Sequence, residues 1–326
     1  MASMLDMFRT LKFPASNDVT SLYDNDWYSY WPMSQLVSSY QHYWYGFSDY
    51  VIEEEFPILK SITTEWEMNY GGFGAWAEYF RATWYVPIIV SVVYLLLIPV
   101  GQKYMESRPA YELKKPLFLW NALLSVFSII GVIRVLPHFL YGLYSNGPTY
   151  FICRNGFVAF GRGSVGFWSL LFVLSKYAEL IDTLFLVLRK KPVPFLHSYH
   201  HATVLLLSIG TIMLYGPTGI IMLTVNYCVH AIMYTYYAIA AIAKPPSWGQ
   251  TVTVLQIAQM VNGLVMAGAI WYAEGTVPNC AGQPVNMYAI AVIYASYLYL
   301  FVRFYINRYL RRSSKADNPP ISKKLN

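Results

Sequence analysis

The chain has 326 residues, 56% of them hydrophobic and only 12% charged, whereas a soluble domain carries about 25% charged residues; an ordinary water-soluble globule is excluded. The formal net charge of +6 would suit a nucleic-acid binder, but Lys and Arg fall in short runs between apolar segments rather than along one face, as membrane topology requires. Aromatic residues reach 18%, with 30 Tyr and 10 Trp, and such amphipathic rings favour bilayer interfaces and the mouths of apolar cavities.

Residues 1–81 form a polar, Tyr-rich lead with an acidic patch at Glu53, Glu54 and Glu55. It reads as extramembranous and partly ordered. Asp6 and Arg9 interrupt its start, so it lacks the apolar core of a cleavable signal peptide. From Trp84 onward, stretches long enough for roughly 20-residue spans recur. Seven are expected, over 84–100, 117–141, 167–188, 195–214, 220–243, 252–272 and 287–306. Turn-forming connectors separate them, among them Lys190-Lys191-Pro192-Val193-Pro194, Tyr215-Gly216-Pro217-Thr218-Gly219 and Lys244-Pro245-Pro246. Helices alone satisfy their backbone segment by segment in lipid, so the expected fold is an all-α polytopic membrane domain over 82–312, with a basic tail at 313–326.

Cationic connectors set the orientation. The loop after the first span holds Lys103, Arg108, Lys114 and Lys115; that after the third holds Arg189, Lys190 and Lys191; the tail holds Arg308, Arg311, Arg312 and Lys315. Opposite loops are poorer, with Arg154 and Arg162 in one and no cation in the other two. The N-terminus is therefore expected to be lumenal and the C-terminus cytosolic. Cys153 and Cys280 both fall on the non-cytosolic side, as a disulfide or as two free thiols; Cys228 lies inside the fifth span. Lys323 and Lys324 sit four and three positions from the end, the pattern of a dilysine retrieval signal to the endoplasmic reticulum, or of an ordinary basic tail.

Polar side chains inside spans are costly, and their spacing carries functional information. In the third span Lys176, Glu179, Asp182 and Thr183 share one helix face, as an active-site stripe or as an ion-pair network that locks helices together. The fourth span opens Phe195-Leu196-His197-Ser198-Tyr199-His200-His201, which puts three imidazoles on one face. The fifth carries Asn226, His230, Met233, Tyr234 and Tyr237 on one stripe, and the sixth Gln256 and Gln259; amides also serve as interhelical glue. Four polar faces imply a shared chamber within an apolar tunnel, suited to a substrate with a greasy tail and a reactive head. Lys190, Lys191, Lys244 and Arg308 would meet an anionic head group at its mouth, unless they only reflect orientation.

Clustered imidazoles invite a metal reading. Membrane di-iron oxidases built on histidine boxes need about twice the four intramembrane histidines here, once His42 and His138 are set aside, so no metal is expected. The alternative is a histidine acting as nucleophile or general base on a thioester, with Asn226 and the glutamines holding oxygens where charge develops.

Lys176-Tyr177-Ala178-Glu179-Leu180-Ile181-Asp182-Thr183, His197-Ser198-Tyr199-His200-His201, the run from Asn226-Tyr227 to Met233-Tyr234 and Leu255-Gln256-Ile257-Ala258-Gln259 together resemble the very-long-chain fatty acid elongases, 3-oxoacyl-CoA synthases of the endoplasmic reticulum. The resemblance covers about 117–312 and leans towards the branch acting on saturated and monounsaturated acyl-CoAs. It implies seven helices, six of them forming a barrel around a closed tunnel entered from the cytosol. It further implies an acyl group held on His200, assistance from His230 at the malonyl stage, and support from His197, His201 and Asp182. Long-chain acyl-CoA and malonyl-CoA would be the substrates, with no cofactor. The bilayer would be the constant partner, alongside the ketoreductase, dehydratase and enoyl reductase of the cycle and a second copy in a homodimer. A metal-dependent lipid desaturase or hydroxylase, or a seven-helix transporter, is the competing reading.

Overall fold

The computed structural model describes residues 50–278, 280 and 284–311. Among them every regular element is helical. Ahead of the long helices stand four short ones: α1 (Ile52–Glu55), α2 (Pro57–Ile62), α3 (Glu65–Met68) and α4 (Phe73–Ala82). A capping box starts α3, in which the Thr64 hydroxyl accepts from the Glu67 N–H and the Glu67 carboxylate accepts from the Thr64 N–H. Then follow α5 (Tyr85–Glu106), α6 (Lys114–Asn146), the single turns α7 (Tyr150–Cys153) and α8 (Gly156–Phe160), α9 (Gly163–Ala178), α10 (Ile181–Leu188), α11 (Phe195–Met213), α12 (Gly219–Ile242), α13 (Gly249–Thr276) and α14 (Pro284–Tyr305), which runs into a π-helical turn at Ile306–Leu310.

Four of these helices, Tyr85–Glu106, Lys114–Asn146, Gly249–Thr276 and Val285–Leu310, are long and apolar enough to cross a membrane. Their outer faces leave Leu96, Leu97, Leu119, Leu123, Val265 and Val292 uncovered, the surface that lipid requires. Helices α11 and α12 have comparable length, but His197, His200 and His201 on one and Asn226 and His230 on the other break their apolarity. The protein is thus a multi-pass membrane protein.

The stretch expected as one span over 167–188 is two helices. The chain tightens at Glu179–Leu180, where i→i+3 bonds from Asp182 N–H to Glu179 O (3.1 Å) and from Thr183 N–H to Leu180 O (3.2 Å) replace the α pattern. The tightening falls where Glu179 turns inward to meet Lys176 and Ser175.

Close helix approaches rest on small residues. The Tyr227 ring of α12 lies across Gly131 of α6, and the Tyr294 ring of α14 lies across Gly263 of α13; a Cβ at either glycine would overlap the ring. Neighbouring helices pair as α6 with α12, α12 with α13, α13 with α14, α14 with α11, α11 with α9 and α9 with α6, while α5 packs on α10 and α11. Cys153, at the end of α7, is bonded to Cys280 in the connector after α13, with Cα atoms 4.4 Å apart.

The described part of the lead is packed against the bundle. Tyr50 donates to the His138 carbonyl (2.7 Å), Ser164 donates to buried Glu53, and Glu67 accepts from Trp168 Nε1 (2.7 Å) and Arg134 Nε (3.2 Å). Arg81 donates to the last-turn carbonyl of Met213 (2.6 Å) and stacks on the Tyr215 ring, a cation placed at the C-terminal end of α11. Phe73, Trp76, Ala77 and Phe80 consequently belong to the main core.

Candidate active site

The Lys176–Glu179 side of the site is built around the tightened turn. Lys176 Nζ donates to Glu179 Oε1 at 2.6 Å and to Asn226 Oδ1 at 3.2 Å, and lies over the Phe172 ring. Both members of the ion pair are buried, which is sustainable only because each is paired and hydrogen-bonded. The contact orients the Asn226 amide, whose Nδ2 then donates to His230 Nε2 at 3.2 Å. His230 Nδ1 consequently carries the ring proton and faces Glu179 Oε1 at 3.9 Å. Charge, amide and imidazole form one chain across α9 and α12.

The other two members of the stripe serve separate networks. Asp182 accepts from Trp120 Nε1 (2.6 Å) and from the Tyr234 hydroxyl (3.0 Å). Thr183 joins the Tyr94 hydroxyl (2.8 Å) to His197 Nε2 (2.9 Å), linking α5, α10 and α11. His197 in turn lies against His201, with ring centroids 4.4 Å apart, and His201 crosses His200 edge-on at 5.5 Å. His201 Nδ1 is buried without a hydrogen-bond partner among the described residues.

His200 differs from the other three in bordering both cavities of the site. Its ring rests against Tyr297 at 4.9 Å and Phe301 at 6.4 Å, and no hydrogen bond holds either ring nitrogen among the described residues. Its backbone is fixed instead, since the Tyr297 hydroxyl reaches both the His200 carbonyl (3.3 Å) and Thr203 Oγ1 (2.6 Å). The free ring borders two cavities. One is the more polar and is lined by Glu179, Asp182, His197, His201, His230 and Gln256, with the exposed Pro194, Tyr237 and Phe304 also on its wall. The other is apolar and runs along Val204, Leu207, Thr211 and Met222 towards Phe73 and Phe160. They share His200, Asn226, Gln259 and Met260.

The polar chamber and the apolar cavity thus meet at His200, Asn226, Gln259 and Met260. The GNS1/SUR4 family model, named ELO, matches residues 79–317. The chain belongs to this family. It is 41% identical over 266 residues to very long chain fatty acid elongase 6 of Drosophila melanogaster, an alignment covering 80% of this chain and 79% of that one. It is 37% identical over 242 residues to human very long chain fatty acid elongase 3, covering 73% and 88%. It is also 34% identical over 288 residues to putative fatty acid elongase 3 of Caenorhabditis elegans, covering 86% and 84%. Membership in the elongase family places the chain in fatty acid elongation, a branch of lipid biosynthesis at membranes.

The fold of this family member brings His197, His200, His201, Asn226, His230, Glu179, Asp182, Tyr234, Tyr237, Gln256 and Gln259 around one chamber. Lys176 and Thr183 stand one contact behind it. Gln256 donates to Met233 Sδ (3.1 Å), whereas Gln259 reaches both cavities. Lys190, Lys191, Lys244 and Arg308 line neither cavity. They are exposed, the three lysines on connectors and Arg308 in the π-helical turn, with Lys190 donating to the Glu106 carbonyl at 3.0 Å. Among the described residues no group of three or more His, Cys, Asp and Glu side chains is placed to hold a metal ion. Lys323 and Lys324 lie outside the described residues.

Sequence reasoning missed Tyr94, Trp120, Ser175 and Tyr297. Each is an uncharged residue in an otherwise apolar helix, where hydroxyl and indole groups are common; Ser175 lies four residues before the Glu179 that it holds, and the other three share no stripe with the group they orient. The signal that was available is the pairing rule: every intramembrane carboxylate and imidazole needs a donor or acceptor, and the stripes alone left Asp182 and Thr183 without one.

Proposed function

We propose that this elongase-family protein is the condensing enzyme, a 3-oxoacyl-CoA synthase that extends a long-chain acyl-CoA with malonyl-CoA. The observation that carries this reading is the position of His200, with unbonded ring nitrogens at the junction of a polar chamber and an apolar tunnel. An acyl chain laid in the tunnel brings its thioester carbonyl to that ring, while the CoA part leaves through the chamber past Pro194, Tyr237 and Phe304.

A His200 nitrogen attacks the thioester carbon, the C–S bond breaks, and CoA leaves as the thiol with the proton from the other ring nitrogen. Malonyl-CoA then enters the chamber and loses carbon dioxide, and its carbanion attacks the acyl-imidazole. The C–N bond breaks, the imidazolate takes a proton from solvent, and a 3-oxoacyl-CoA two carbons longer departs. His230, with Nδ1–H towards Glu179 and its Nε2 accepting from Asn226, borders the chamber and assists the malonyl stage, while the Asn226 and Gln259 amides can donate to the thioester oxygen of malonyl-CoA as charge develops there. His197 and His201 orient and enclose the His200 ring, and no metal or cofactor enters the scheme.

The wider arrangement follows the same reading. Seven spans, six of them in a ring with α5 outside, are supported by the cyclic order of helix pairs and by the polar faces of α9, α11 and α12 pointing into it. The Cys153–Cys280 bond supports a lumenal face for those connectors, hence a lumenal N-terminus and cytosolic C-terminus in the endoplasmic reticulum. Lys190, Lys191, Lys244 and Arg308 then stand on the cytosolic rim, where CoA phosphates arrive. The reductases and dehydratase that complete the cycle, and a second copy of the chain, are the expected partners in the bilayer.

Purified protein incubated with acyl-CoA alone should gain the mass of one acyl group, and His200→Ala should not. Microsomes given labelled malonyl-CoA and an acyl-CoA should place label in a product two carbons longer, undiminished by chelators. An active wild type that never carries an adduct removes the covalent step; no labelled acyl product removes the reading altogether.

A further inference from the structure

The apolar tunnel ends against a residue that lies outside the family's matched region. Its lining near the closed end includes Phe160 of α8, Gly219 of α12 and Phe73 of α4, whereas the family model begins at residue 79. Phe73 and Phe160 meet edge-to-face with centroids 5.9 Å apart, and both rings are buried. We propose that the helix α4 of the lead is the floor of the acyl tunnel, with Phe73 as the residue that sets the longest acyl chain accepted; this rests on the condensing-enzyme reading.

The lead is built to hold a fixed floor. Helix α4 is tied at its far end by Arg81 to the Met213 carbonyl and the Tyr215 ring. Just ahead of it, the Tyr70 carbonyl accepts from Gly163 N–H at 3.0 Å and the Tyr70 ring packs on Phe167. The floor residue Gly219 has little space of its own: a Cβ there would press on Thr211 at 3.1 Å and on Phe160 at 3.2 Å. Phe73 therefore sits between two anchored ends, against a wall that does not yield.

The depth follows from helix geometry. From His200 to Thr211 on α11 the rise is about 16 Å at about 1.5 Å per residue. A zigzag of bonds of about 1.5 Å advances about 1.3 Å per carbon, so about a dozen acyl carbons fit before the chain meets the floor. A smaller side chain at position 73 deepens the tunnel from below, and a larger one shortens it, without touching the chamber in which the chemistry occurs.

The test compares full-length wild type, Phe73→Leu and Phe73→Trp in microsomes with labelled malonyl-CoA and a series of saturated acyl-CoAs differing by two carbons. The reading is the ratio of rates on the acceptor two carbons longer than the wild-type optimum to that optimum. Phe73→Leu should raise this ratio by about tenfold and Phe73→Trp should lower it, since a methylene at a pocket wall discriminates by roughly that much. A uniform loss on every chain length with the ratio unchanged overturns the ruler and leaves Phe73 a packing residue. If Phe73→Leu yields no active protein, Phe160→Leu recesses the other half of the floor, and an unchanged ratio there and in Phe73→Trp is equally fatal. Failure of wild type to label any acyl product refutes the condensing-enzyme reading, and the ruler falls with it.

Discussion

The Lys176–Glu179 pair allows a prediction in which the single and double substitutions separate. Lys176→Met leaves the Glu179 carboxylate, its side chain 4% exposed, with the Ser175 hydroxyl as its remaining close donor and His230 Nδ1 3.9 Å away. Removing one partner of a buried ion pair costs about 3–5 kcal/mol, because the other charge stays in a medium that cannot solvate it, whereas replacing both with neutral groups of similar volume is close to neutral. Lys176→Met together with Glu179→Gln should therefore recover most of the loss, a coupling of about 2 kcal/mol or more. At about 2–4 °C per kcal/mol, the single variant should melt at least about 6 °C below wild type. The assay is the apparent melting midpoint of full-length protein in detergent at one fixed heating rate, followed by size-exclusion fluorescence. Equal midpoints for single and double variants would refute the claim that the two charges sustain each other. Activity should remain low in both, because each removes the donor on Asn226 Oδ1 that directs the amide towards His230.

Three further outcomes are expected. Burial pushes the Glu67 carboxyl up, but donors from Trp168, Thr64 and Arg134 outweigh it and bring it down to about 2 from the ordinary 4.5; a depressed folded-state pKa contributes stability above the unfolded value that is lost as pH falls towards the folded one. Wild type should thus lose more of its melting midpoint than Glu67→Gln between pH 5 and pH 3, and equal losses would contradict the assignment. Cys153→Ser should lower the stability of oxidised protein by about 4–5 kcal/mol on chain-entropy grounds for the 127-residue separation, and should abolish the mobility difference between reduced and unreduced samples on a denaturing gel. Thr183→Val removes the link from Tyr94 to His197 and should reduce kcat by about tenfold, the equivalent of one hydrogen bond of about 1.4 kcal/mol, with little change in expression; unchanged kcat would show that His197 needs no such support.

Apolar runs and connectors made the helices legible: spans expected at 195–214 and 220–243 correspond to Phe195–Met213 and Gly219–Ile242. Helical spacing also identified which residues of α11 and α12 share a face, because that is a local property. It failed at Glu179–Leu180, since the tightened turn is imposed by buried partners of Glu179 rather than by a Gly or Pro in the sequence. It could not find Tyr94 or Trp120 either, which lie 89 and 62 positions from the groups they hold. Nor does periodicity show that Phe73, in a polar stretch rich in Gly and Glu, closes a cavity that His200 opens. Cavities are made by elements distant in sequence, and their ends are the least local feature of all.

The Cys153–Cys280 bond also orders events at the ribosome. The second thiol follows the first by 127 residues, so at about 5–20 residues per second Cys153 waits roughly 6–25 s for its mate. During that wait the chain from α8 through α13 must be made, and on the topology proposed above the connector after α13 must reach the compartment where oxidation occurs. Because α7 packs on α13, the bond can close only on a chain whose penultimate long helix is already seated. The disulfide is in effect a late stamp, joining the turn α7 to the connector after α13 once α13 has been made.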